Sequence, residues 1–336
     1  VFMKVFITGI AGFLGSHLAE LCLKKKHKVV GCDTLIGGDL SNLKNLDIEF
    51  YKTDIEDLED MTKIMKNVDI VCHSASYAHE GLSTVSPKLI CQNNLVGSVS
   101  TFTAAVRNGV KRIVYCSSMA RYGAIKIPYK ENDKPNPVDP YGVSKLAAEN
   151  ILKIMANTYN FEYNIAVPHN IIGPKQKYND PFRNVASIMI NLILQNRRPI
   201  IYGDGNQKRC FSDIEDCIGC LEKMLFDKNI KNEIINIGPD EEFITINELY
   251  SVISNKLKFN KSPEYMDKRP NEVYEAMCSS DKARKILNYK TTYNLEESMD
   301  KMISFIKSSG IKEFEYNYPI EINNDVTPDT WSKKLF

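Results

Sequence analysis

Long hydrophobic runs are absent from this sequence of 336 residues. No window approaches the ~18 to 20 consecutive apolar residues that would cross a bilayer, so we expect no membrane-spanning helix and no membrane partner. The first residues, Val1 to Lys4, lead directly into a strand-like run, without a basic stretch followed by a small-residue cleavage site. The sequence therefore predicts no secretory signal, and the cytoplasm is the expected compartment.

An excess of charge of one sign is also missing. Lysine and arginine number 43 and aspartate and glutamate 42, which leaves a net charge of +1. Because binding to nucleic acid depends on concentrated positive charge, and no local basic patch stands out, we expect no nucleic-acid partner. Hydrophobic residues at 43% and charged residues at 25% are instead typical of a folded globular enzyme or binding protein.

A dense cysteine framework is lacking as well. Nine cysteines are spread over the whole chain, whereas disulfide frameworks belong to short secreted domains, so reduced thiols are expected. The one closely spaced pair, Cys217 and Cys220, has no second such pair and no histidine at zinc-ligand spacing. We therefore expect no bound metal.

What the sequence does contain is an alternation of short β-branched runs with amphipathic stretches, the pattern of βαβ units. The predicted strands are 4–8, 28–33, 48–52, 69–73, 112–117 and 163–167, and the predicted helices are 13–25, 58–65, 87–108 and 140–159. Beyond residue 168 the alternation loosens, although 213–226 is helix-like and 234–237 is strand-like. The fold class predicted is α/β, a Rossmann-type doubly wound parallel sheet with a smaller, interleaved C-terminal α/β substrate lobe.

Glycines mark the turn between the first predicted strand and the first predicted helix. The residues concerned are Gly9, Gly12, Phe13, Leu14 and Gly15. Glycine suits this turn because the backbone must bend sharply and approach a pyrophosphate at the helix N-terminus. The alternative is a tight turn that binds no ligand.

Two acidic positions follow the next two strands. Asp33 ends the second strand, about 20 residues after the glycines, where a carboxylate accepts a hydrogen bond from a ribose hydroxyl and repels a 2′-phosphate. This placement favours NAD over NADP. Asp54 and Ile55 follow the third strand and are placed to contact adenine, but Asp54 is equally well explained as a cap of the next helix.

Tyr141 and Lys145 lie four residues apart near the start of a helix that opens with Asp139 and Pro140. A free tyrosine titrates near ~10, so an ionised phenol at neutral pH requires about 4 kcal/mol. An ammonium about 4 Å away supplies on the order of 4 kcal/mol at an effective dielectric constant near 20. We therefore expect Lys145 to keep Tyr141 acidic, although such pairs are also common on solvated helix faces.

Two serines directly follow the fifth predicted strand. Ser117 and Ser118 fall at the carboxyl edge of the sheet, beside the crevice in which a dinucleotide lies. Ser118 is placed to link a substrate hydroxyl to Tyr141, which would provide a path for a proton. Capping and turn hydrogen bonds are the alternative explanation for both serines.

These features together resemble the extended short-chain dehydrogenase/reductases, in particular the nucleotide-sugar epimerase/dehydratase group typified by UDP-galactose 4-epimerase. The resemblance covers residues 3 to about 310. The matching segments run from Thr8 to Gly15, through Ser118, Tyr141 and Lys145, to 170–174, 202–205 with Arg209, and 269–272.

The resemblance implies functional residues that the residue patterns alone do not. It implies NAD as cofactor, with Asn94 and Ser117 completing its site, and a catalytic triad of Ser118, Tyr141 and Lys145. It further implies contacts to a nucleotide-diphosphate sugar from Asn170, Asn184, Val185, Ile200, Tyr202, Arg209 and Arg269. Helices 87–108 and 140–159 would pair into a four-helix bundle, so a homodimer is expected.

Departures from the family pattern reduce the number of reactions and substrates that the resemblance allows. Dehydratases of this group carry Asp-Glu after the triad serine or threonine, whereas Met119 and Ala120 follow Ser118 here, which disfavours dehydration. Ala276 falls near the position at which hexose-restricted relatives have a bulky tyrosine, which would leave room for a 2-acetamido group. The loop 77–83 also departs from the family and is expected to reach the sugar, and an exposed loop without a substrate contact is an equally good alternative.

The expected function is NAD-dependent C4 epimerisation of a UDP-hexose or UDP-N-acetylhexosamine through a transient 4-keto intermediate. One alternative is a nucleotide-sugar 4-dehydrogenase or reductase, and a remote one is a non-catalytic dinucleotide-sensing regulator. The expected organisation is a cofactor domain of residues 1–168, to which 210–238 return, a substrate lobe of 169–209 and 239–322, and a tail of 323–336 that holds the only tryptophan, Trp331.

Overall fold

The computed structural model describes residues 2–336. The strands are β1 (Lys4–Thr8), β2 (Lys28–Cys32), β3 (Ile48–Tyr51), β4 (Ile70–His73), β5 (Arg112–Cys116), β6 (Glu162–Pro168), β7 (Ile171–Ile172), β8 (Ile200–Tyr202), β9 (Lys208–Arg209), β10 (Ser212–Asp213), β11 (Glu233–Ile237), β12 (Ile244–Thr245), β13 (Glu264–Met266) and β14 (Glu275–Ala276). The α-helices are α1 (Phe13–Lys24), α2 (Leu58–Ile64), α3 (Glu80–Ser83), α4 (Pro87–Cys91), α5 (Gly97–Arg107), α6 (Pro140–Tyr159), α7 (Val185–Leu194), α8 (Ile214–Phe226), α9 (Ile246–Lys256), α10 (Asp281–Leu287), α11 (Leu295–Ser309) and α12 (Asp329–Ser332).

The main sheet has seven strands in the order β11-β6-β5-β4-β1-β2-β3, and every pair in it is parallel. The chain moves outward from β1 to β3 and then returns to build β4, β5 and β6 on the other side. Strand order therefore reverses between β1 and β4, and ligands of such sheets bind at the carboxyl ends of the strands at this point. The predicted fold class is confirmed.

Both faces of the main sheet are covered, which is why its strands are apolar almost throughout. Val5 and Ile7 of β1 belong to one hydrophobic cluster, together with residues of α1 and α8. Phe6, between them, belongs to a second cluster on the opposite face, with residues of α5 and α6. The alternation along a single strand thus builds two separate cores.

The helix predicted for residues 87–108 differs from the observed one. Residues 87–107 are helical, but the five residues Gln92–Val96 form a wider π-helical turn between α4 and α5. Such turns are not encoded by hydrophobic spacing, which stays close to that of an α-helix. Helix α6, by contrast, begins and ends at the predicted residues.

Residues beyond β6 form short sheets and a third hydrophobic cluster that joins α7, α9 and α11. The chain also returns to the main sheet, since β11 pairs with β6 and α8 contributes to the same cluster as α1. None of the helices in residues 2–336 is both long and apolar enough to cross a membrane.

Candidate active site

A cleft of about 440 Å³ crosses the carboxyl ends of the main sheet. One side is formed by the turn after β1 and the ends of β2 and β5, and the other by residues of α7, β8, β9 and the loop around residue 270. Its volume lies within the ~300 to 1,000 Å³ usual for sites that enclose a small organic ligand.

The glycine turn allows the backbone to approach a ligand closely. Gly9 has a φ of +65°, which strains any residue with a side chain. A Cβ at Gly15 would lie 2.3 Å from the carbonyl oxygen of Gly9, so only glycine allows α1 to begin so near the turn. Helix α1 has no acidic residue in its first turn, and its N-terminus lines the cleft. The free backbone N–H groups and the positive end of the helix dipole at this N-terminus are suited to bind a pyrophosphate.

Asp33 lies on the same side of the cleft and is only 8% exposed. Its carboxylate accepts N–H groups from Ala11 at 3.1 Å and Leu35 at 2.8 Å, which fixes its orientation. Gly38 passes directly over this carboxylate, where a Cβ would approach to 2.7 Å. Residues 9–15 and Asp33 therefore fit a dinucleotide with a free ribose hydroxyl.

Ser118, Tyr141 and Lys145 all line this cleft. Ser118 follows β5, where its side chain also caps a short turn by accepting the N–H of Ala120 at 3.2 Å. Tyr141 and Lys145 lie on α6, which starts where the carboxylate of Asp139 accepts the N–H of Gly142 at 2.7 Å. A cap and an N-terminal proline thus place the phenol at the cleft.

Lys145 makes no hydrogen bond with the hydroxyl of Tyr141 in residues 2–336, and its effect on the acidity of the phenol stays a prediction. The Nζ atom of Lys145 donates to the carbonyl of Cys116 at 2.9 Å and lies 5.8 Å from the centroid of the Tyr141 ring. Burial raises the pKa of Tyr141 to about 12, although a hydrogen bond with Ser118 acts in the opposite direction. Burial also lowers the pKa of Lys145 to about 8.

Ser117 also lines the cleft, and its hydroxyl belongs to a buried polar cluster. Its hydroxyl donates to the carboxylate of Glu149, which also accepts the Nε–H of Arg121 at 2.8 Å. Glu149 lies on α6, on the same face as Tyr141 and Lys145. This cluster joins the end of β5 to α6.

The far end of the cleft carries two arginines. Arg209 donates to the main-chain oxygens of Lys208, Val273 and Tyr274, and no ion pair of Arg209 is found in the described chain. Arg269 donates to Glu272 at 2.7 Å and lies over the ring of Tyr202, 5.0 Å from its centroid. A guanidinium without a carboxylate partner suits a diphosphate.

The remaining predicted substrate residues also line this end. Asn170 donates to the carbonyl of Cys210 at 3.0 Å, and its φ of 43° marks the turn from β6 into β7. Asn184 caps α7, whose first residue is Val185, by accepting the N–H of Ala186 at 2.9 Å. Ile200 begins β8.

Two predicted cofactor residues do not line the cleft. Asp54 accepts the N–H of Glu56 at 3.0 Å, whereas Asp57 is the residue that caps α2, so the helix-cap alternative for Asp54 is wrong. Ile55 does line the cleft. Asn94 is buried and exchanges hydrogen bonds with the main chain of Tyr77, so it holds the loop after β4. Both assignments rested on position along the sequence, which does not specify side-chain direction.

Ala276 likewise does not reach the cleft in the chain from residue 2 onward. It is 5% exposed and belongs to the core cluster that contains Tyr129 and Cys278. Its side chain packs in the core, and the expectation that it leaves room for a sugar substituent stays a prediction.

Sequence reasoning missed several residues of the cleft. Glu80 lies in the loop that was expected to reach the sugar, and its charge together with burial raises the pKa of Asp139 to about 7. Arg183 also lines the cleft. Three aromatic residues come from the C-terminal end of the chain: Tyr318, Trp331 and Phe336. The isolated tryptophan was the only signal for this last group.

Fold and cleft together define a dinucleotide-dependent enzyme of the short-chain dehydrogenase/reductase type. The chain belongs to the NAD dependent epimerase/dehydratase family, whose profile matches residues 5–238. This membership was predicted from the motifs and is confirmed.

Individual relatives span nearly the same length. A putative UDP-glucose 4-epimerase of Methanocaldococcus jannaschii is 33% identical over 310 residues, which cover 91% of this chain and 99% of the relative. The UDP-N-acetylglucosamine 4-epimerase of Methanobrevibacter ruminantium, solved with UDP-N-acetylmuramic acid, superposes with a TM-score of 0.85 at 30% identity and covers 92% and 99% of the two chains. The UDP-glucuronic acid 4-epimerase of Bacillus cereus, solved with UDP-glucuronic acid and NAD, superposes with a TM-score of 0.84 at 26% identity and covers 92% and 100%.

Proposed function

We propose that the protein catalyses the NAD-dependent C4 epimerisation of a nucleotide-diphosphate sugar, a UDP-hexose or UDP-N-acetylhexosamine, through a transient 4-keto sugar. The observation that carries this proposal is the shared cleft. Tyr141 and Ser118 face the same space as the glycine turn and Asp33, while Arg209 lines its other end. The kinds of substrate named for the relatives support the same reaction.

NAD supplies redox chemistry when bound, as a reversible acceptor of two electrons and a hydrogen from the sugar carbon. The residues that would hold it are those of the glycine turn, with Asp33 at the ribose. Because Asp33 is buried and already oriented by two N–H groups, it presents a fixed acceptor to a hydroxyl and repels a phosphate. These residues do not take part in proton transfer.

The protein's own chemistry is the movement of one proton. Tyr141 takes the proton of the C4 hydroxyl while Ser118 holds that hydroxyl, and Tyr141 later returns the proton. The high pKa of Tyr141 in the chain alone means that a phenol, not a phenolate, is the resting form. Positive charge brought by the cofactor, beside the ammonium of Lys145, favours the ionised form needed to begin.

Binding of the nucleotide and the diphosphate at the other end of the cleft lets the sugar rotate. Arg209 and Arg269 hold the diphosphate, and Tyr202 lies against the base. Since the binding energy comes mainly from the nucleotide and diphosphate, the sugar stays free to rotate and present its other face. The ketone stays in the cleft until it has been reduced again.

The experiment is an incubation of the purified protein with UDP-glucose, UDP-N-acetylglucosamine and UDP-glucuronic acid in turn. The stereochemistry of the product at C4 is read by NMR, and reduced nicotinamide by its absorbance. A C4 epimer without net NADH supports the proposal. One NADH per product would establish a dehydrogenase, and bound dinucleotide without any product would establish a non-catalytic binder.

Assembly and organisation extend the proposal. Val96, Val143 and Ile154 are exposed hydrophobic residues on the α4–α5 and α6 helices, so we propose a homodimer through a four-helix bundle of these helices. We also propose a cofactor domain of residues 1–168 with 210–238, and a substrate lobe of 169–209 and 239–322. A cytoplasmic location and a role in carbohydrate biosynthesis suit a nucleotide-sugar substrate.

A further inference from the structure

The motifs that resemble the family lie between residues 3 and about 310, and a relative matched over 99% of its own length covers 91% of this chain. After α11, residues 311–336 form an extended segment with a single short helix, α12. We call these residues the C-terminal segment. Three of its residues, Tyr318, Trp331 and Phe336, line the cleft.

The first half of the C-terminal segment is fixed by hydrogen bonds to several parts of the fold. The carbonyl of Glu313 accepts from the side chain of Asn179 at 3.1 Å. Further on, the carboxylate of Glu321 accepts the N–H groups of Lys88 and Leu89, both at 2.9 Å, at the start of α4. Helix α4 is thereby joined to a residue more than 230 positions away.

Trp331 is the most buried aromatic contact of the segment, at 2% exposure. Its Nε1–H donates to the carbonyl of Pro181 at 3.2 Å, and its ring lies 5.3 Å from that of Phe182. The preceding residue, Thr330, shares a hydrogen bond of 2.5 Å with the hydroxyl of Tyr202. The segment therefore contacts a side chain that lines the nucleotide end of the cleft.

Gly81 shows that this fit is specific. A Cβ at Gly81 would lie 2.9 Å from the Trp331 ring and 3.1 Å from Nη1 of Arg269. Arg269 in turn lies over the ring of Tyr202. Indole, guanidinium and phenol therefore form one packed group, and only glycine at position 81 leaves room for it.

We propose that the C-terminal segment is a fixed wall of the substrate site and that Trp331 is a positioning residue, which holds Tyr202 and Arg269 in place for the base and the diphosphate. The proposal rests on the proposed function and adds to it a role for the C-terminal segment. Because both side chains are already held in place before the ligand arrives, less conformational entropy is lost on binding. Variants that disrupt the packing of the C-terminal segment should therefore raise KM and leave kcat nearly unchanged.

The test uses the full-length protein loaded with NAD and three variants of the packed group: Trp331→Ala, Thr330→Val and Gly81→Val. Val326→Thr is the matched control, since Val326 belongs to the same segment but is 60% exposed. The dissociation constant of UDP is measured by calorimetry, KM and kcat with the accepted UDP-sugar, and folding by thermal unfolding.

We expect Thr330→Val to weaken UDP binding about three- to tenfold, the effect of one hydrogen bond. Trp331→Ala and Gly81→Val should weaken it more than about tenfold, with kcat within about twofold and the control unchanged. Because Trp331 is the only tryptophan, its emission should also shift to longer wavelength in Gly81→Val and respond to UDP in the wild type.

The proposal would be overturned by unchanged UDP affinity in folded Thr330→Val, or by equal losses of kcat and of UDP affinity. If Trp331→Ala fails to fold, the result for Thr330→Val decides between the outcomes. A wild type that binds UDP but yields no C4 epimer overturns the proposed function alone. A wild type that does not bind UDP overturns both.

Discussion

Lys145 and Tyr141 lie on one face of the same helix, yet the ammonium of Lys145 is 5.8 Å from the centroid of the Tyr141 ring and donates elsewhere. Burial then dominates, and the pKa of Tyr141 rises to about 12. The phenol is therefore neutral in the chain alone. We propose that positive charge arriving with the cofactor would favour the ionised phenol, which would couple proton transfer to a loaded site.

Tyr141→Phe tests the proton path. Removing only the hydroxyl should reduce turnover by about 10² to 10⁴-fold, the usual contribution of a positioned acid or base. NAD binding should be preserved, because the glycine turn and Asp33 are untouched. Steady-state kinetics and the NAD content of the purified variant measure the two effects. Tyr159→Phe, at the exposed end of α6, is the control. If Tyr141→Phe turns over as fast as the wild type, Tyr141 does not take part in the reaction.

Asp33→Ser tests cofactor selectivity. Loss of the buried carboxylate removes both the acceptor for a ribose hydroxyl and the repulsion of a 2′-phosphate, so the preference for NAD over NADP should fall by about tenfold or more. Dissociation constants of the two dinucleotides give the ratio. Asp47→Ser, at an exposed position between β2 and β3, should leave it unchanged. A ratio equal to that of the wild type in Asp33→Ser would contradict the ribose role.

Asp139→Asn tests the buried carboxyl at the start of α6. The pKa of Asp139 is raised from 3.8 to about 7 by burial and by Glu80, so its protonated form is favoured in the folded state. This contribution to stability is complete below pH 3.8 and is lost as the pH rises through about 7. Asparagine keeps a cap oxygen but does not titrate. The Tm of the variant relative to the wild type should therefore rise between pH 4 and pH 7.5, and a constant difference would show that Asp139 has an ordinary pKa.

Ile154→Asp tests the dimer. Ile154 is 66% exposed in the single chain and lies on the same face of α6 as Val143. A charge at this position should convert a dimer to a monomer at micromolar concentration, which light scattering after size-exclusion chromatography measures directly. Val326→Asp, a charge at another exposed hydrophobic residue, serves for comparison. A wild type that is already monomeric contradicts the proposed four-helix bundle.

The features that sequence predicted well are those encoded locally. The boundaries of α6 follow from Asp139 and Pro140, and the parallel sheet follows from the alternation of short apolar strands with amphipathic helices. Residues whose role depends on distant contacts were not accessible in this way. Trp331 meets Pro181 across 150 positions, and Asn94 turns toward Tyr77 instead of the cleft. The pKa of Tyr141 depends on burial, which spacing along a helix does not reveal.

The most direct test of the central claim uses a UDP-sugar that carries deuterium at C4. If Tyr141 moves the hydroxyl proton while NAD and the 4-keto sugar remain together in the cleft, the epimer should retain the deuterium at C4, and Tyr141→Phe should form almost no product. Loss of the label to solvent, or its accumulation in free reduced nicotinamide, would contradict the account.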